Sequence, residues 1–267
     1  MPKKLSIIIS AFNRHKLTQA HVRQCMESTL LPDEIIVVND HGDPCLRDML
    51  KELEIKTKLI YAYIQEDIPW NYTGARNLGV WLSRGEFIVS EDNDNIPSKT
   101  LYESLHKHLQ DNPDVGLVLA GGRPAISVED MNKYPSEEWD KHIQYNRPAH
   151  DDSFMMRKKD YIRMKGYNEE FAGAYAWVCT DWTRRLIRAE IKVDRIKTDK
   201  YYVAVGEGTR VCECNKSREE RAKQPVCPDC GLAYKRRSYR NYGLARGKTY
   251  IQPPKGILNF TYTTECL

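Results

Sequence analysis

Two groups of residues in this chain have the types and the spacing to do chemistry. The first is the acidic run Glu91-Asp-Asn-Asp94, which follows the apolar Phe87-Ile-Val89. Asp92 and Asp94 stand two apart, so a turn after a strand would let both carboxylates converge on one hard cation. Carboxylate oxygens suit Mg²⁺ or Mn²⁺, and an ion held by so few protein groups completes its shell with water and phosphate oxygens. The pattern predicts a metal site that receives a diphosphate-bearing ligand. The plain alternative is an acidic loop that is merely solvated. The second group is Cys212, Cys214, Cys227 and Cys230, two close pairs followed by Gly231. Four such thiolates suit a tetrahedral structural Zn²⁺ with no open position. A pair of disulfides is the alternative, disfavoured in a reducing compartment.

The elements that must position these groups alternate. Apolar runs at Lys4–Ser10, Glu34–Val38, Lys58–Ile64 and Phe87–Val89 read as buried strands. Helical spacing between them spans Leu17–Leu30, Leu46–Leu53 and Thr73–Leu82. This alternation predicts a mostly parallel sheet flanked by helices, with binding groups where strand C-termini meet loops. Asn13, Asp40 and the Asp92/Asp94 pair all fall at such ends, so three loops converge on one crevice. Further on, Leu101–Leu109 reads as a helix, Val115–Leu119 and Ser153–Arg157 as strands, and Ile191–Val205 as two β runs. The segment from Gly121 to Pro148 shows no clear period and is expected to be partly irregular. A helix carries Asp181 and Trp182 through Ile187.

With 41% hydrophobic and 29% charged residues the chain is globular rather than disordered, and a net charge of +4 is too small to argue for nucleic acid by itself. No apolar run reaches the roughly 20 residues that span a bilayer, and Leu5–Ile9 is too short for a signal-peptide core. A cytoplasmic protein without a membrane span is expected. Three units are expected: an α/β domain over 1–205, a zinc knuckle over 206–232 and a basic segment over 233–267.

Five blocks occur in one order: Ser6-Ile-Ile-Ile-Ser-Ala-Phe-Asn-Arg14, Ile35-Ile-Val-Val-Asn-Asp-His-Gly42, Gly74-Ala-Arg-Asn-Leu-Gly79, Glu91-Asp-Asn-Asp94 after Gly85-Glu-Phe-Ile88, and Gly166-Tyr-Asn-Glu-Glu-Phe171 leading to Thr180-Asp181. In these blocks the chain resembles family 2 glycosyltransferases of the GT-A fold across roughly residues 4 to 205. The resemblance implies a nucleotide-sugar donor held by Ala11, Asn13, Asp40, Arg76 and Asp92, and a catalytic Mn²⁺ or Mg²⁺ at Asp92 and Asp94, with Asp94 the more direct ligand. The late histidine that some GT-A enzymes add as a ligand has no counterpart after His150. The resemblance also implies that Asp181 is the base of an inverting transfer. The family usually carries Glu-Asp where this chain has Thr180-Asp181, which bears on the acceptor more than on catalysis.

Beside the resemblance, the residues keep simpler readings. Asp40 also fits a turn aspartate before His41-Gly42, and Asp181 fits a helix N-cap or first-turn acid. Gly74 lies near a helix start, where free N–H groups favour anions. Trp177, Thr180 and Trp182 are candidates for acceptor contact, with at least one tryptophan expected in the core. The expected function is metal-dependent transfer of a sugar, first of all from a UDP-sugar, to a hydroxyl of a glycan, small molecule or polymer. The rival is a zinc-stapled nucleic-acid-binding protein on a degenerate transferase scaffold, because tyrosines and basic residues interleave over Tyr234–Tyr242. A transferase acting on a modified nucleic-acid base lies between the two.

Overall fold

A computed structural model of the chain describes residues 4–147, 153–173, 177–205 and 260–267 in full, and residues 211–212 and 233–234 as backbone. The first half alternates: β1 (Leu5–Ala11), α1 (His15–Met26), β2 (Glu34–Asn39), α2 (Cys45–Lys51), β3 (Lys58–Ile64), α3 (Tyr72–Leu82) and β4 (Phe87–Asp92). Then come β5 (Asn95–Pro97), α4 (Leu101–Asp111), β6 (Val115–Leu119), β7 (Arg123–Ser127), α5 (Val128–Lys133), β8 (Tyr145–Arg147), β9 (Phe154–Arg157) and α6 (Lys158–Arg163). The remainder holds α7 (Val178–Arg188), β10 (Lys192–Arg195), β11 (Tyr201–Val205), β12 (Val211–Cys212), β13 (Ala233–Tyr234) and β14 (Tyr262–Cys266).

Among the described residues eight strands form the main sheet, in the order β10-β6-β9-β4-β1-β2-β3-β14. Within it β9 and β14 run against their neighbours and the rest are parallel. Residues of β1 and β2 are buried along their whole length, as strands covered on both faces must be. Alternate side chains feed two cores. Ile7, Ile9 and Val37 face α1, α2 and α4, while Ile8, Ile36 and Val38 face α3, α6 and α7. Gly79 is where α3 lies closest to the sheet, because any Cβ there would collide with the Ile8 side chain.

Two features differ from the sequence reading. The stretch expected to be irregular holds β7, α5, a 3₁₀ turn over Ser136–His142 and β8, and a second sheet runs β5-β11-β7-β8 over its own core of Leu17, Ile96, Ile126, Trp139 and Tyr202. Strands of three to five residues carry too little alternation to stand out; non-local pairing makes them strands. The end of the segment expected as a basic tail is also β14, which pairs antiparallel with β3 from Tyr262↔Ile64 to Cys266↔Ile60 and closes that edge of the main sheet.

Candidate active site

The site grows from the turn where the chain passes directly from β4 of the first sheet to β5 of the second. β4 carries Glu91 and Asp92, Asn93 and Asp94 make the turn, and β5 pairs with β11. Neighbouring residues of a strand point to opposite faces, and here that separates the acids. Glu91 is fully buried towards α1 and α4, where its Oε2 accepts from Tyr102 Oη at 2.9 Å and pairs with His21 Nε2 at 2.8 Å. Burial opposes a charge on His21, but the adjoining Cys25 and the Glu91 carboxylate outweigh it and push its pKa up to about 10. The second ring nitrogen, Nδ1, lies 3.4 Å from the Asn93 carbonyl, and Asn93 Nδ2 donates to Thr18 Oγ1 at 3.0 Å. The acidic turn is thus gripped from behind by α1.

Asp92 faces α3 instead. Its Oδ1 accepts from Arg76 Nη2 at 2.7 Å, and Arg76 Nη1 donates to Tyr167 Oη at 2.9 Å. The Arg76 side chain is fully buried and its guanidinium lies 5.3 Å from the Tyr72 ring centroid and 5.4 Å from that of Tyr167. Asp94 Oδ2 pairs with Arg14 Nη1 at 2.9 Å. Each guanidinium takes one oxygen of its carboxylate, and the side chains of Asp92 and Asp94 remain 36% and 29% exposed. Two accessible carboxylates with oxygen donors, one turn apart, fit a hard divalent cation.

The exits of β1 and β2 are latched together. Asp40 is buried and donates its N–H to the Ala11 carbonyl at 2.9 Å. Asn13, at a left-handed φ of 46°, accepts the Asp43 N–H at 2.9 Å through Oδ1. Gly42 donates to Asn39 Oδ1 at 2.7 Å, and any Cβ on it would press on Asn39 and Asn13. Ala11, Asn13 and Asp40 therefore stand side by side at adjacent strand ends.

Asp181 sits in the first turn of α7, 4% exposed. It is not the N-cap, a position held by Trp177 at φ 74°. Burial raises its pKa, partly countered by Arg185, whose Nη1 lies 3.8 Å from Asp181 Oδ2. Trp177 and Thr180 are half-buried. Trp182 corrects its expected role in acceptor contact. It is fully buried and stacks on Tyr167 at 4.4 Å and Phe154 at 5.4 Å, so it is a core residue. Through Tyr167 the core beside Asp181 is linked to Arg76 and on to Asp92.

In the Gly74-Ala-Arg-Asn77 block, Gly74 lies in the first turn of α3, where any Cβ would collide with Asn71 and Phe260. Asn77, passed over by the sequence reading, fastens the loop that leads into the 3₁₀ turn Glu169–Phe171. Its Oδ1 accepts from Tyr161 Oη at 2.7 Å and Tyr167 N at 2.8 Å, and its Nδ2 donates to Tyr167 O at 2.9 Å and Glu169 Oε1 at 2.8 Å. His21 and Tyr167 were also missed. A histidine on the packed face of α1 reads as core until its partner is known. The knuckle cysteines fall outside the fully described residues, except that β12, which contains Cys212, pairs with β13. Among the described residues no helix is long and apolar enough to cross a membrane.

Known proteins share parts of this sequence and this fold. The chain is 26% identical over 184 residues to a GalNAc(5)-diNAcBac-PP-undecaprenol beta-1,3-glucosyltransferase of Campylobacter jejuni, covering 67% of this chain and 59% of that protein. It is 28% identical over 130 residues to the hyaluronan synthase of Pasteurella multocida, covering 48% of this chain and 13% of the synthase. Among solved structures, S. aureus TarS 1-349 in complex with UDP-GlcNAc aligns with a TM-score of 0.61 at 12% identity, over 77% of this chain and 60% of that one. The mannosyltransferase PcManGT from Pyrobaculum calidifontis, in complex with GDP-Man and Mn²⁺, aligns with a TM-score of 0.58 at 16% identity, over 78% of this chain and 58% of that one. The chain thus spans less than two thirds of the length of these relatives, and the fold is that of the GT-A glycosyltransferases. The family model for glycosyl transferase family 2 matches residues 6–179, a span that holds the latched exits of β1 and β2, the Arg76–Asp92 pair and the acidic turn, and the chain belongs to that family.

Proposed function

We propose that the protein is a metal-dependent, inverting glycosyltransferase that moves a sugar from a nucleoside-diphosphate donor to a hydroxyl acceptor. The observation that carries this reading is the pairing of a fully buried Arg76 with Asp92, beside a partly exposed Asp94 at the end of β4. A guanidinium held at that depth sets the carboxylate in one orientation and keeps positive charge where a diphosphate would arrive. A Mg²⁺ or Mn²⁺ held by Asp92 and Asp94 would supply Lewis-acid neutralisation of the departing diphosphate. Ala11, Asn13 and Asp40 line the strand ends that would read the nucleoside. Asp181 is the base: it takes the acceptor proton as the hydroxyl oxygen bonds to the anomeric carbon and the bond to the diphosphate breaks on the opposite side. Its raised pKa makes it a stronger proton acceptor than an ordinary carboxylate.

A UDP-sugar is the first candidate donor, supported by the UDP-GlcNAc complex of TarS; the GDP-Man complex of the mannosyltransferase makes a GDP-sugar the second. The acceptor is a glycan or a lipid-linked or small-molecule hydroxyl, in line with the lipid-linked acceptor named for the Campylobacter relative. The four knuckle cysteines are assigned to a structural Zn²⁺. In support, the parallel pairing of Cys212 with Tyr234 brings together the two ends of the segment that carries them.

A thermal-shift screen of nucleoside diphosphates and their sugars, with Mn²⁺ and with EDTA, tests the donor. A nucleotide at about 100 times its Kd stabilises by about 2.7 kcal/mol. A metal-dependent shift with one nucleotide supports the reading and names the base. Salt-dependent binding to RNA or DNA, with no shift by any nucleotide while zinc is retained, would sink it.

A further inference from the structure

Three ligand-bearing side chains with no part in the proposed transfer meet where the loops after β1 and β2 touch. His15 opens α1, Cys45 opens α2, and Asp43 lies just before Cys45. One ligand atom from each lies within 4.8 Å of the other two. Cys45 Sγ is 3.5 Å from His15 Nδ1 and 4.0 Å from Nε2. With metal–sulfur and metal–nitrogen bonds of about 2.3 and 2.05 Å, two ligands at a tetrahedral angle stand about 3.5 Å apart. The sulfur and the imidazole therefore already have the spacing of two ligands on one ion.

The third ligand is held by the backbone. Asp43 Oδ1 accepts the Cys45 N–H at 2.9 Å, and the Asp43 N–H is donated to Asn13 Oδ1 at 2.9 Å. Hydrogen bonds of this kind fix a ligating carboxylate in its place. All three side chains reach solvent, His15 half-buried and the other two exposed, so an ion can enter without opening the fold. The donor set decides which ion. One thiolate, one imidazole and one carboxylate form a borderline-soft set that suits Zn²⁺ and disfavours Mg²⁺ and Mn²⁺. Asp92 and Asp94 offer only oxygen and have the opposite preference.

We propose that His15, Asp43 and Cys45 form a binding site for Zn²⁺ or a similar borderline divalent ion, tying the start of α1 to the start of α2. On binding, the Cys45 thiol proton passes to solvent as the metal–sulfur bond forms, and a water takes the fourth position. The ion bridges the two loops that carry Asn13 and Asp40, so its occupancy stiffens both. The site does not depend on the function proposed above, and its test reads metal binding alone.

The test is alkylation of the full chain by N-ethylmaleimide, followed cysteine by cysteine by peptide mass spectrometry. Cys266, also exposed and free, is the internal control. Micromolar Zn²⁺ slows modification of Cys45 by roughly tenfold or more, since the metal-bound thiolate is withdrawn from reaction, and leaves Cys266 unchanged. Mg²⁺ and Mn²⁺ at the same concentration give no protection. His15→Ala abolishes the Zn²⁺ effect and Asp43→Asn weakens it, while circular dichroism shows both variants folded. Equal protection of Cys266, protection that survives His15→Ala, or no protection in the parent chain would each overturn the site. The knuckle cysteines do not confuse the result, because each peptide is read separately.

Discussion

At the scale of single residues, the charges around the site divide into those held in place and those left accessible. Asp181 belongs to the first kind and is held at a cost. Its folded-state pKa is raised by burial, so the folded protein binds that proton more tightly than the unfolded chain does. The ionised carboxylate therefore subtracts from stability as pH rises through that pKa. Asp181→Asn should raise the melting temperature at neutral pH while lowering transfer by about 10²–10⁴-fold, with the nucleotide-induced thermal shift intact. An Asn variant with near-parental turnover would remove Asp181 as the base. Arg185 lowers this pKa, so Arg185→Gln should move the acid limb of the rate profile to higher pH. Arg76→Ala strips a buried partner from Asp92 and Tyr167 and should cost about 3 kcal/mol in urea unfolding.

At the scale of elements, α1 and β4 work as a unit. The His21–Glu91 pair, with Tyr102 on the same carboxylate oxygen, joins the helix to the strand just before Asp92, and the Asn93–Thr18 bond repeats the grip one turn along. Breaking one partner of such a pair strands the other charge in the core. His21→Leu or Glu91→Leu alone should each cost about 3–5 kcal/mol, and the double variant far less than their sum. Additive losses in a denaturation cycle would show that the two side chains do not act together. The pH sign also follows. The pKa of His21 is raised, so its contribution is complete below its unfolded value of about 6.5 and fades as pH climbs towards about 10. The decline of stability over that interval should flatten in His21→Leu.

At the scale of the whole molecule, the main sheet is finished by the last residues of the chain. β14 covers the β3 edge, and Phe260 just before it fills the space that Gly74 leaves open on α3. An uncovered parallel edge invites pairing between molecules. Removing residues 260–267 should lower the melting temperature and promote aggregation, measured by light scattering. Gly74→Ala should destabilise without touching β14, because its new methyl displaces Asn71 or Phe260. A truncated chain as soluble and stable as the parent would show that β14 is dispensable.

Much of this protein was determined by sequence alone. Short, near-continuous apolar runs such as Leu5–Ile9 and Ile35–Val38, rich in β-branched residues, read as strands covered on both faces, and that local rule gives the alternating first half. The same logic places Asn13, Asp40, Asp92 and Asp94 at strand ends, since polar residues that follow a buried run must leave the sheet together. What the sequence could not decide was direction and partnership. Glu91 and Asp92 look alike in the chain, yet one turns to His21 and the other to Arg76, because strand parity sends them to opposite faces of the sheet. Trp182 and Trp177 look like equal candidates for a sugar, but only packing on Tyr167 and Phe154 commits the first to the interior. The second sheet and β14 depend on pairs far apart along the chain, whose stability comes from neighbours that no local pattern names.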